Sequence, residues 1–171
     1  MIALGIETSC DETSVALVNS NREILSHLIL SQHDYHADYQ GVVPEIAARA
    51  HLEHLPRLIQ SALAKANLTF DDVSLIAATT GPGLIGGVIV GAMLGKGLAH
   101  SLNIPFIAVN HLEGHVLSSR LSHPELNFPY LSLLMSGGHT QIIHVKNVGS
   151  YEIWGNAIDD AVGECFDKVA K

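Results

Sequence analysis

The sequence predicts an α/β protein in which helices cover a mixed β-sheet. Three observations predict this class: short β-prone runs come first, helical and β-prone segments then alternate, and the same order begins again near residue 130. Of the 171 residues, 47% are hydrophobic and 15% are charged, so the chain has ample apolar material for a packed core. We therefore expect one large folded domain, or one domain and a fraction of a second.

The first elements are three short β-prone runs separated by turn residues. Consecutive strands joined by short turns favour an antiparallel arrangement. The sequence therefore predicts a three-strand meander, formed by Ile2 to Thr8, Thr13 to Asn19 and Glu23 to Ile29.

A long helix is predicted next, over Pro44 to Lys65, because its apolar residues recur at helical spacing. Pro44 suits a first helical turn, where the missing N–H costs nothing. Pro56 lies inside the segment, and an internal proline predicts a kink or a break into two helices.

Strands and helices then alternate, in the order Ser74 to Thr80, Leu84 to Leu102, Pro105 to Val109 and Asn110 to Leu121. An antiparallel meander followed by β-α crossovers predicts the mixed sheet of ribonuclease H-like folds. The apolar stretch of the second helix is too short to span a membrane, and we interpret it as a buried helix. Its glycines recur every fourth residue and predict a smooth face for close packing: Gly83, Gly87, Gly91 and Gly95.

The pattern restarts after the polar stretch Ser122 to Asn127. Two strands of a hairpin, a third strand and a helix are predicted, over Tyr130 to Met135, His139 to Val145, Tyr151 to Trp154 and Asp159 onward. In the superfamily of actin, sugar kinases and Hsp70, two such units face each other across a nucleotide cleft. We therefore predict an actin-like ATPase fold, with residues 1–125 as one complete lobe and residues 126–171 as the start of the second.

The charge balance excludes a strongly basic nucleic-acid-binding domain. Nine Lys and Arg against seventeen Asp and Glu give a formal net charge of -8, so any cations that meet nucleic acid must come from partners or from segments missing from this chain. Cys10 and Cys165 form no metal-type pair in sequence, and Glu7 comes too early for a secretory signal. These features predict a cytoplasmic protein that does not associate with membranes.

Three polar or glycine-rich turns follow predicted strands: Thr8 to Thr13, Thr80 to Gly83 and Ser136 to Thr140. Backbone amides at glycines and small hydroxyls can bind an anion, and the recurrence of such turns favours a nucleotide ligand. Asp11 and Glu12 in the first turn are candidate catalytic residues, since carboxylates repel a phosphate unless a cation or a reacting amine intervenes. The alternative is that they cap the turn.

His111 and His115 are candidate metal ligands. Residues four apart lie on one face of a helix, so both imidazoles can bind one ion. Glu113 projects roughly 200° around the axis from His111 and cannot easily join them, which separates the motif from the zinc-protease sequence His-Glu-x-x-His. The alternative is an incidental pair, since the chain has eleven histidines.

Several motifs in order resemble the bacterial branch of the TsaD family of tRNA threonylcarbamoyl transferases, formerly classed as O-sialoglycoprotein endopeptidases. The resemblance implies transfer of the threonylcarbamoyl group from threonylcarbamoyl-AMP to the exocyclic amine of adenosine 37, in tRNAs that read codons beginning with A. It covers the whole chain and is carried by the stretches Gly5–Thr13, Gly41–Glu45, Thr80–Gly83, His111–His115, Ser136–Thr140 and Asp159–Lys168.

The resemblance also implies specific roles and partners. His111 and His115 would bind one iron(II) per subunit, with zinc or magnesium as alternatives. A TsaB-like paralogue, a TsaE-like ATPase and tRNA within the complex would be the partners. The adenylate substrate would contact Leu134, Met135, Ser136, Gly137, Gly138 and Asp167.

Family members continue beyond Lys171, so we expect this chain to be truncated and inactive alone. Two further functions remain open on the residues themselves. One is a non-catalytic scaffold or dimerisation subunit of the same tRNA-modifying complex, which would not need the histidine pair. The other is a small-molecule kinase of the same superfamily, which the turns alone would allow. A metalloprotease is the least favoured reading, because Glu113 does not share the face of the two histidines.

Overall fold

The computed structural model describes residues 1–39 and 41–170. The chain divides into two compact units, the first spanning Met1–His111 and the second beginning at Leu112. The boundary that we predicted after residue 125 stays a prediction.

The first unit contains a five-stranded mixed sheet with the order β3-β2-β1-β4-β5. The first three strands form the predicted antiparallel meander, and β4 and β5 pair parallel to β1 and β4 respectively. The mixed sheet predicted from the sequence is therefore confirmed. The strands are β1 (Ile2–Glu7), β2 (Glu12–Asn19), β3 (Ile24–Ser31), β4 (Leu75–Gly81) and β5 (Phe106–Asn110).

Three helices accompany this sheet: α1 (His33–His36), α2 (Pro44–Lys65) and α3 (Ile85–Leu102). Two short 3-10 helices, Ala37–Tyr39 and Phe70–Asp72, were not predicted. Pro44 occupies the first turn of α2, as expected. The predicted break at Pro56 is wrong, because α2 runs through it as one helix. Pro56 cannot donate a helical hydrogen bond to the carbonyl of Leu52, and Leu52 is 67% exposed, so water can replace that donor.

The core of the first unit lies between the sheet and helices α2 and α3. Strands β1, β2 and β4 alternate buried with less buried residues, so one face of each contributes to the core. The largest side chains of this core are fully buried: Leu4, Leu17, Leu55, Ile59 and Ile76. Burial of each such side chain stabilises the fold by about 1.5–3 kcal/mol.

Helix α3 packs through its glycines. A Cβ at Gly91 would lie 2.2 Å from Oγ1 of Thr8, so only glycine permits this approach of helix to strand end. The glycine face predicted from the sequence is confirmed, and the helix that we expected to be buried is buried on this side only. Ile85, Ile89 and Met93 are 74%, 52% and 60% exposed on the opposite side.

Within residues 1–39 and 41–170, α3 is the one helix that could cross a membrane by length and composition alone, and 33% of it is buried inside the protein. A core helix of a soluble protein has the same length and composition, so this observation does not assign a membrane location.

The second unit contains a three-stranded antiparallel sheet with the order β6-β7-β8, as predicted. Val116 of helix α4 packs with Leu134, Ile143 and Val145 of the sheet. Helix α5 begins at Val162 rather than at the predicted Asp159. The elements are α4 (His111–Ser122), β6 (Tyr130–Met135), β7 (Thr140–Asn147), β8 (Ser150–Asn156) and α5 (Val162–Ala170).

Candidate functional site

Glu7, the last residue of β1, is the centre of a polar cluster in the first unit. The Ser9 backbone N–H donates to its Oε1 (2.5 Å), and the Thr79 hydroxyl donates to its Oε2. Nδ1 of His111 lies 3.2 Å from the same Oε2. Burial alone would raise the pKa of Glu7, but hydrogen bonds from His111, Ser9 and Thr79 outweigh it and lower the pKa to about 2. Glu7 is therefore ionised at neutral pH.

The Glu7 carboxylate orients the ring of His111. Hydrogen bonding to Glu7 raises the pKa of His111, against the opposing effect of burial. Since Glu7 only accepts, Nδ1 of His111 carries a proton and donates, and Oγ of Ser9 lies 3.1 Å from the same nitrogen. This contact identifies Nε2 as the ring nitrogen that a metal ion would use.

The predicted turn after β1 contacts the start of helix α3 directly. The N–H of Leu84 donates to the carbonyl of Ser9 (2.7 Å), and the hydroxyl of Thr8 donates to the carbonyl of Gly87 (2.8 Å). Thr8 and Ser9 are 1% and 2% exposed. The turn after β1 is thus fixed against the start of α3, so that Glu7 and Ser9 keep their positions around His111.

Asp11 and Glu12 lie at the end of the same turn, where β2 begins. Burial raises the pKa of Cys10 to about 11, with further contributions from Asp11 and Glu12. The Cys10 thiol is therefore neutral near pH 7 and is not an activated nucleophile. The catalytic roles of Asp11 and Glu12 stay predictions.

His51 of α2 supports this turn from inside the first unit and is fully buried. Its Nε2 lies 3.0 Å from the carbonyl of Cys10, and its Nδ1 lies 2.8 Å from the hydroxyl of Thr13. Burial lowers the pKa of His51, although the contact with the Cys10 carbonyl acts in the opposite direction. The ring is therefore neutral in the folded protein near pH 7.

We expect the burial of His51 to make the protein less stable in mild acid. As the pH falls below about 6.5, His51 of the unfolded chain gains a proton that the folded protein binds only at lower pH. The free energy of unfolding then falls by up to about 1.4 kcal/mol per pH unit until the folded ring also titrates. Urea unfolding of the native protein and of His51→Gln at several pH values measures this difference. A gap between the two that is the same at every pH would contradict the expectation.

In the second unit, the turn after β6 is closed by its own polar groups. The N–H of His139 donates to the hydroxyl oxygen of Ser136 (3.0 Å), and the N–H of Ser136 donates to the carbonyl of His139 (2.8 Å). A Cβ at Gly163 would lie 2.8 Å from atoms of Gly137, so the start of α5 is pressed against this turn. The hydroxyl of Thr140 accepts from the N–H of Val162 (2.8 Å), which explains why α5 begins at Val162.

The predicted adenylate-binding residues fall on three parts of the second unit. Leu134 and Met135 end β6, where Leu134 is buried and Met135 is 58% exposed. Ser136, Gly137 and Gly138 form the turn described above, and Asp167 lies on the exposed surface of α5. Their role in binding the adenylate stays a prediction.

His115 lies one turn after His111 in α4, as the sequence predicted. Glu113, between the two histidines, contacts the sheet of the second unit. Its Oε1 accepts from the N–H of Gly149 (3.1 Å) and from the hydroxyl of Tyr151. In the part of the chain that the structure describes, His, Cys, Asp and Glu side chains form no group of three or more that could hold a metal ion.

Comparison with known proteins shows the family. Residues 23–171 match the sequence model of TsaD, described as tRNA N6-adenosine threonylcarbamoyltransferase. This chain belongs to the TsaD family. The resemblance inferred from its motifs is therefore confirmed.

Curated TsaD proteins are similar over almost the whole chain. A tRNA N6-adenosine threonylcarbamoyltransferase of Rickettsia bellii is 59% identical over 98% of this chain and 49% of its own length. One of Rhizobium etli is 60% identical over 100% of this chain and 48% of its own length. The chain thus spans about half the length of the TsaD relatives that it matches.

Solved structures show the fold. YeaZ from Pseudomonas aeruginosa is similar with a TM-score of 0.57 and 20% identity, over 91% of this chain and 65% of the other. The ROK hexokinase of Thermus thermophilus is similar with a TM-score of 0.53 and 14% identity, over 86% of this chain and 48% of the other. The actin-like ATPase fold predicted for this TsaD chain is confirmed.

Sequence reasoning missed Glu7, Thr79 and His51 as parts of the site. A charged residue at the end of the otherwise apolar strand β1 was the available signal for Glu7. No comparable signal existed for Thr79, which reaches Glu7 only because β4 pairs with β1. His51 is one of eleven histidines in the sequence, and only its burial against the turn of this TsaD chain distinguishes it.

Proposed function

We propose that this chain takes part in the transfer of a threonylcarbamoyl group from threonylcarbamoyl-AMP to the exocyclic amine of adenosine 37 in tRNA. The observation that carries the proposal is the identity of 59% over 98% of the chain with a transferase of that name. The non-catalytic scaffold is not favoured, because relatives of this similarity are named as enzymes.

The reaction needs positioning and charge stabilisation more than covalent catalysis. An aromatic amine is a weak nucleophile, whereas a carbamoyl phosphate anhydride is a good electrophile, so alignment of the two supplies much of the rate. Asp11 and Glu12 remain our candidates for accepting the proton that the amine loses.

We further propose that His111 and His115 bind iron(II), one per subunit, with zinc or magnesium as alternatives. The chain fits this group in part: Glu7 fixes the His111 ring through Nδ1, an arrangement typical of metal-bound histidines. His115, four residues later on α4, supplies a second imidazole. Two imidazoles leave positions for a ligand from elsewhere in the protein and for substrate oxygen. When bound, the metal would polarise that oxygen and stabilise developing negative charge.

The adenylate is proposed to bind at the second unit through Leu134, Met135, Ser136, Gly137, Gly138 and Asp167. Support comes from the turn that follows β6. Hydrogen bonds between Ser136 and His139 close this turn, and Gly163 packs against it. A closed glycine-rich turn beside the first residues of α5 is a suitable place for a phosphate.

A TsaB-like paralogue is the proposed partner of the first unit. Helices α2 and α3 leave an exposed groove of about 410 Å³, whose apolar lining includes Leu52, Pro56, Ile89 and Met93. A paralogue of the same fold would present an equivalent helix pair, and the two apolar faces would cover each other. A TsaE-like ATPase, tRNA bound within the complex and a cytoplasmic location complete the proposal. The net charge of -8 supports binding of tRNA through the complex rather than by this chain alone.

We expect Ile89→Glu to weaken association with the TsaB-like partner about 10–100-fold. Ile89 is 52% exposed, so the charge is tolerated in the free protein but has to be desolvated at the interface. Isothermal titration calorimetry with the partner measures the effect. Ile24→Glu is the matched control, since Ile24 is 55% exposed on strand β3, away from the groove. Equal affinities for the two variants would exclude the groove as the partner site.

The function is tested by adding preformed threonylcarbamoyl-AMP and unmodified tRNA to the gene product and its partners. Because the adenylate is added ready-made, the assay measures the transfer step and not the synthesis of the adenylate. The proposal predicts N6-threonylcarbamoyladenosine in the digested tRNA. Phosphorylation of a sugar or carboxylate by ATP, with no modified adenosine, would instead support the small-molecule kinase.

A further inference from the structure

The hydrogen bonds of His51 specify one tautomer. A backbone carbonyl can only accept, so the Cys10 carbonyl requires a proton on Nε2 of His51. In the neutral ring Nδ1 is then an acceptor, and it receives the Thr13 hydroxyl (2.8 Å) and the side-chain amide of Gln32 (3.2 Å). Thr13, Gln32 and His51 are all fully buried.

Gln32 extends this network to His36 and Val43. Its Nε2 donates to Nδ1 of His51 and points towards the carbonyl of Ala47 (3.5 Å), so its Oε1 is the acceptor for Nε2 of His36 (3.3 Å). Nδ1 of His36 in turn accepts from the backbone N–H of Val43 (3.3 Å). Every donor in this series therefore points the same way, from Val43 to the carbonyl of Cys10.

The network ends at the turn that carries the candidate catalytic carboxylates. The N–H of Gln32 donates to the carbonyl of Asp11 (3.2 Å), so successive carbonyls of Cys10 and Asp11 are held from the interior. A Cβ at Gly87 would lie 3.1–3.2 Å from the ring of His51, so α3 restricts its movement. The backbone of residues 10 and 11 is thus fixed by His51 and Gln32.

We propose that His51 is a positioning residue for threonylcarbamoyl transfer, whose Nε2–H holds the Cys10 carbonyl and thereby fixes the turn bearing Asp11 and Glu12. This inference rests on the proposed function, since its kinetic test reads that reaction. His51 touches no reacting atom in this account. Its effect is on the placement of the turn, and a displacement of about 1 Å in such a group lowers the rate about 100-fold.

Two amide substitutions test the roles of the two ring nitrogens of His51 separately. In His51→Gln the amide nitrogen takes the place of Nε2 and still donates to the Cys10 carbonyl. In His51→Asn the amide takes the place of Nδ1, where its oxygen accepts from Thr13 and Gln32, and the donor to Cys10 is lost. Both variants bury one amide in place of one imidazole, so they are matched in the number of polar groups that they bury.

We expect His51→Asn to lower kcat about 10–100-fold with an unchanged KM for tRNA, and His51→Gln to stay within about 3-fold of the native kcat. The assay uses the gene product with its partners and preformed threonylcarbamoyl-AMP, and the melting temperature of each variant is measured beside it. If His51 only stabilised the fold, the loss of kcat in each variant would parallel its loss of melting temperature. That result, or equal kcat values for the two, overturns the proposal.

A spectroscopic measurement keeps this test independent of the proposed function. In the nitrogen NMR spectrum of the native chain, His51 should be the Nε2–H tautomer. The backbone amide resonances of residues 10–12 should move in His51→Asn and remain near their native positions in His51→Gln. If the native complex makes no modified adenosine, the proposed function fails, yet these resonances still decide whether His51 positions the turn. An Nδ1–H tautomer, or equal shifts in both variants, would refute it.

Discussion

Gly87→Ala is expected to destabilise the first unit by about 3 kcal/mol, as for severe overpacking of a core. An added Cβ would lie 2.2 Å from the backbone carbonyl oxygen of Thr8, and backbone cannot move aside as a flexible side chain can. The shift needed would also break the hydrogen bond from the Thr8 hydroxyl to the carbonyl of Gly87. Urea unfolding followed by circular dichroism measures the loss.

Gly97→Ala is the matched control for that prediction. Gly97 lies in the same helix α3, and nothing lies within 4 Å of an added Cβ. Alanine favours a helix over glycine by about 0.8–1 kcal/mol, so this variant should be more stable than the native protein. If both substitutions changed stability by the same amount in the same direction, the close packing of α3 on Thr8 would be wrong.

His111→Asn is expected to abolish stoichiometric metal binding while leaving the fold intact. The asparagine amide replaces Nδ1 and can still donate to Glu7, so the partly buried carboxylate keeps its partner. The substitution removes Nε2, the nitrogen that Glu7 orients towards a metal. Loss of an orienting partner alone typically costs 10–100-fold in metal affinity, and loss of a ligand itself should cost at least about 100-fold.

Metal content measured on the purified protein checks this prediction, with His123→Asn as the control. His123 is an exposed histidine that contacts Glu125 at the surface, so its replacement should leave the metal content unchanged. Equal metal content in native protein and His111→Asn would remove His111 from the proposed ligand set.

The order of elements could be predicted because each one carries its own periodicity. The local spacing of apolar residues predicts strands β1 to β3 and helix α2. Their positions agree with the prediction within a few residues. The prediction of a break at Pro56 was wrong although proline removes one helical hydrogen bond. The residue that loses this bond, Leu52, is 67% exposed, so water can replace the missing donor.

The polar cluster could not be predicted, because its members are distant in sequence. Glu7 and His111 are 104 residues apart, and Glu7 and Thr79 are 72 apart. Only the pairing of β4 with β1 and of β5 with β4 brings their ends together. Motifs identified Ser9 and His111 separately, and the charge at the end of β1 marked Glu7, but nothing local to Glu7 indicated that its carboxylate meets His111. Similarly, the direction of the His51 hydrogen bonds depends on which atoms surround the ring.

The most direct test of the account is the rate of threonylcarbamoyl transfer by the native full-length gene product and by its His111→Asn and His123→Asn variants, each assembled with the same partners. Preformed threonylcarbamoyl-AMP and unmodified tRNA are supplied, and modified adenosine is quantified by mass spectrometry. The account predicts product from the native protein and His123→Asn, and a rate at least about 100-fold lower for His111→Asn. A His111→Asn protein that modifies tRNA at the native rate would contradict it.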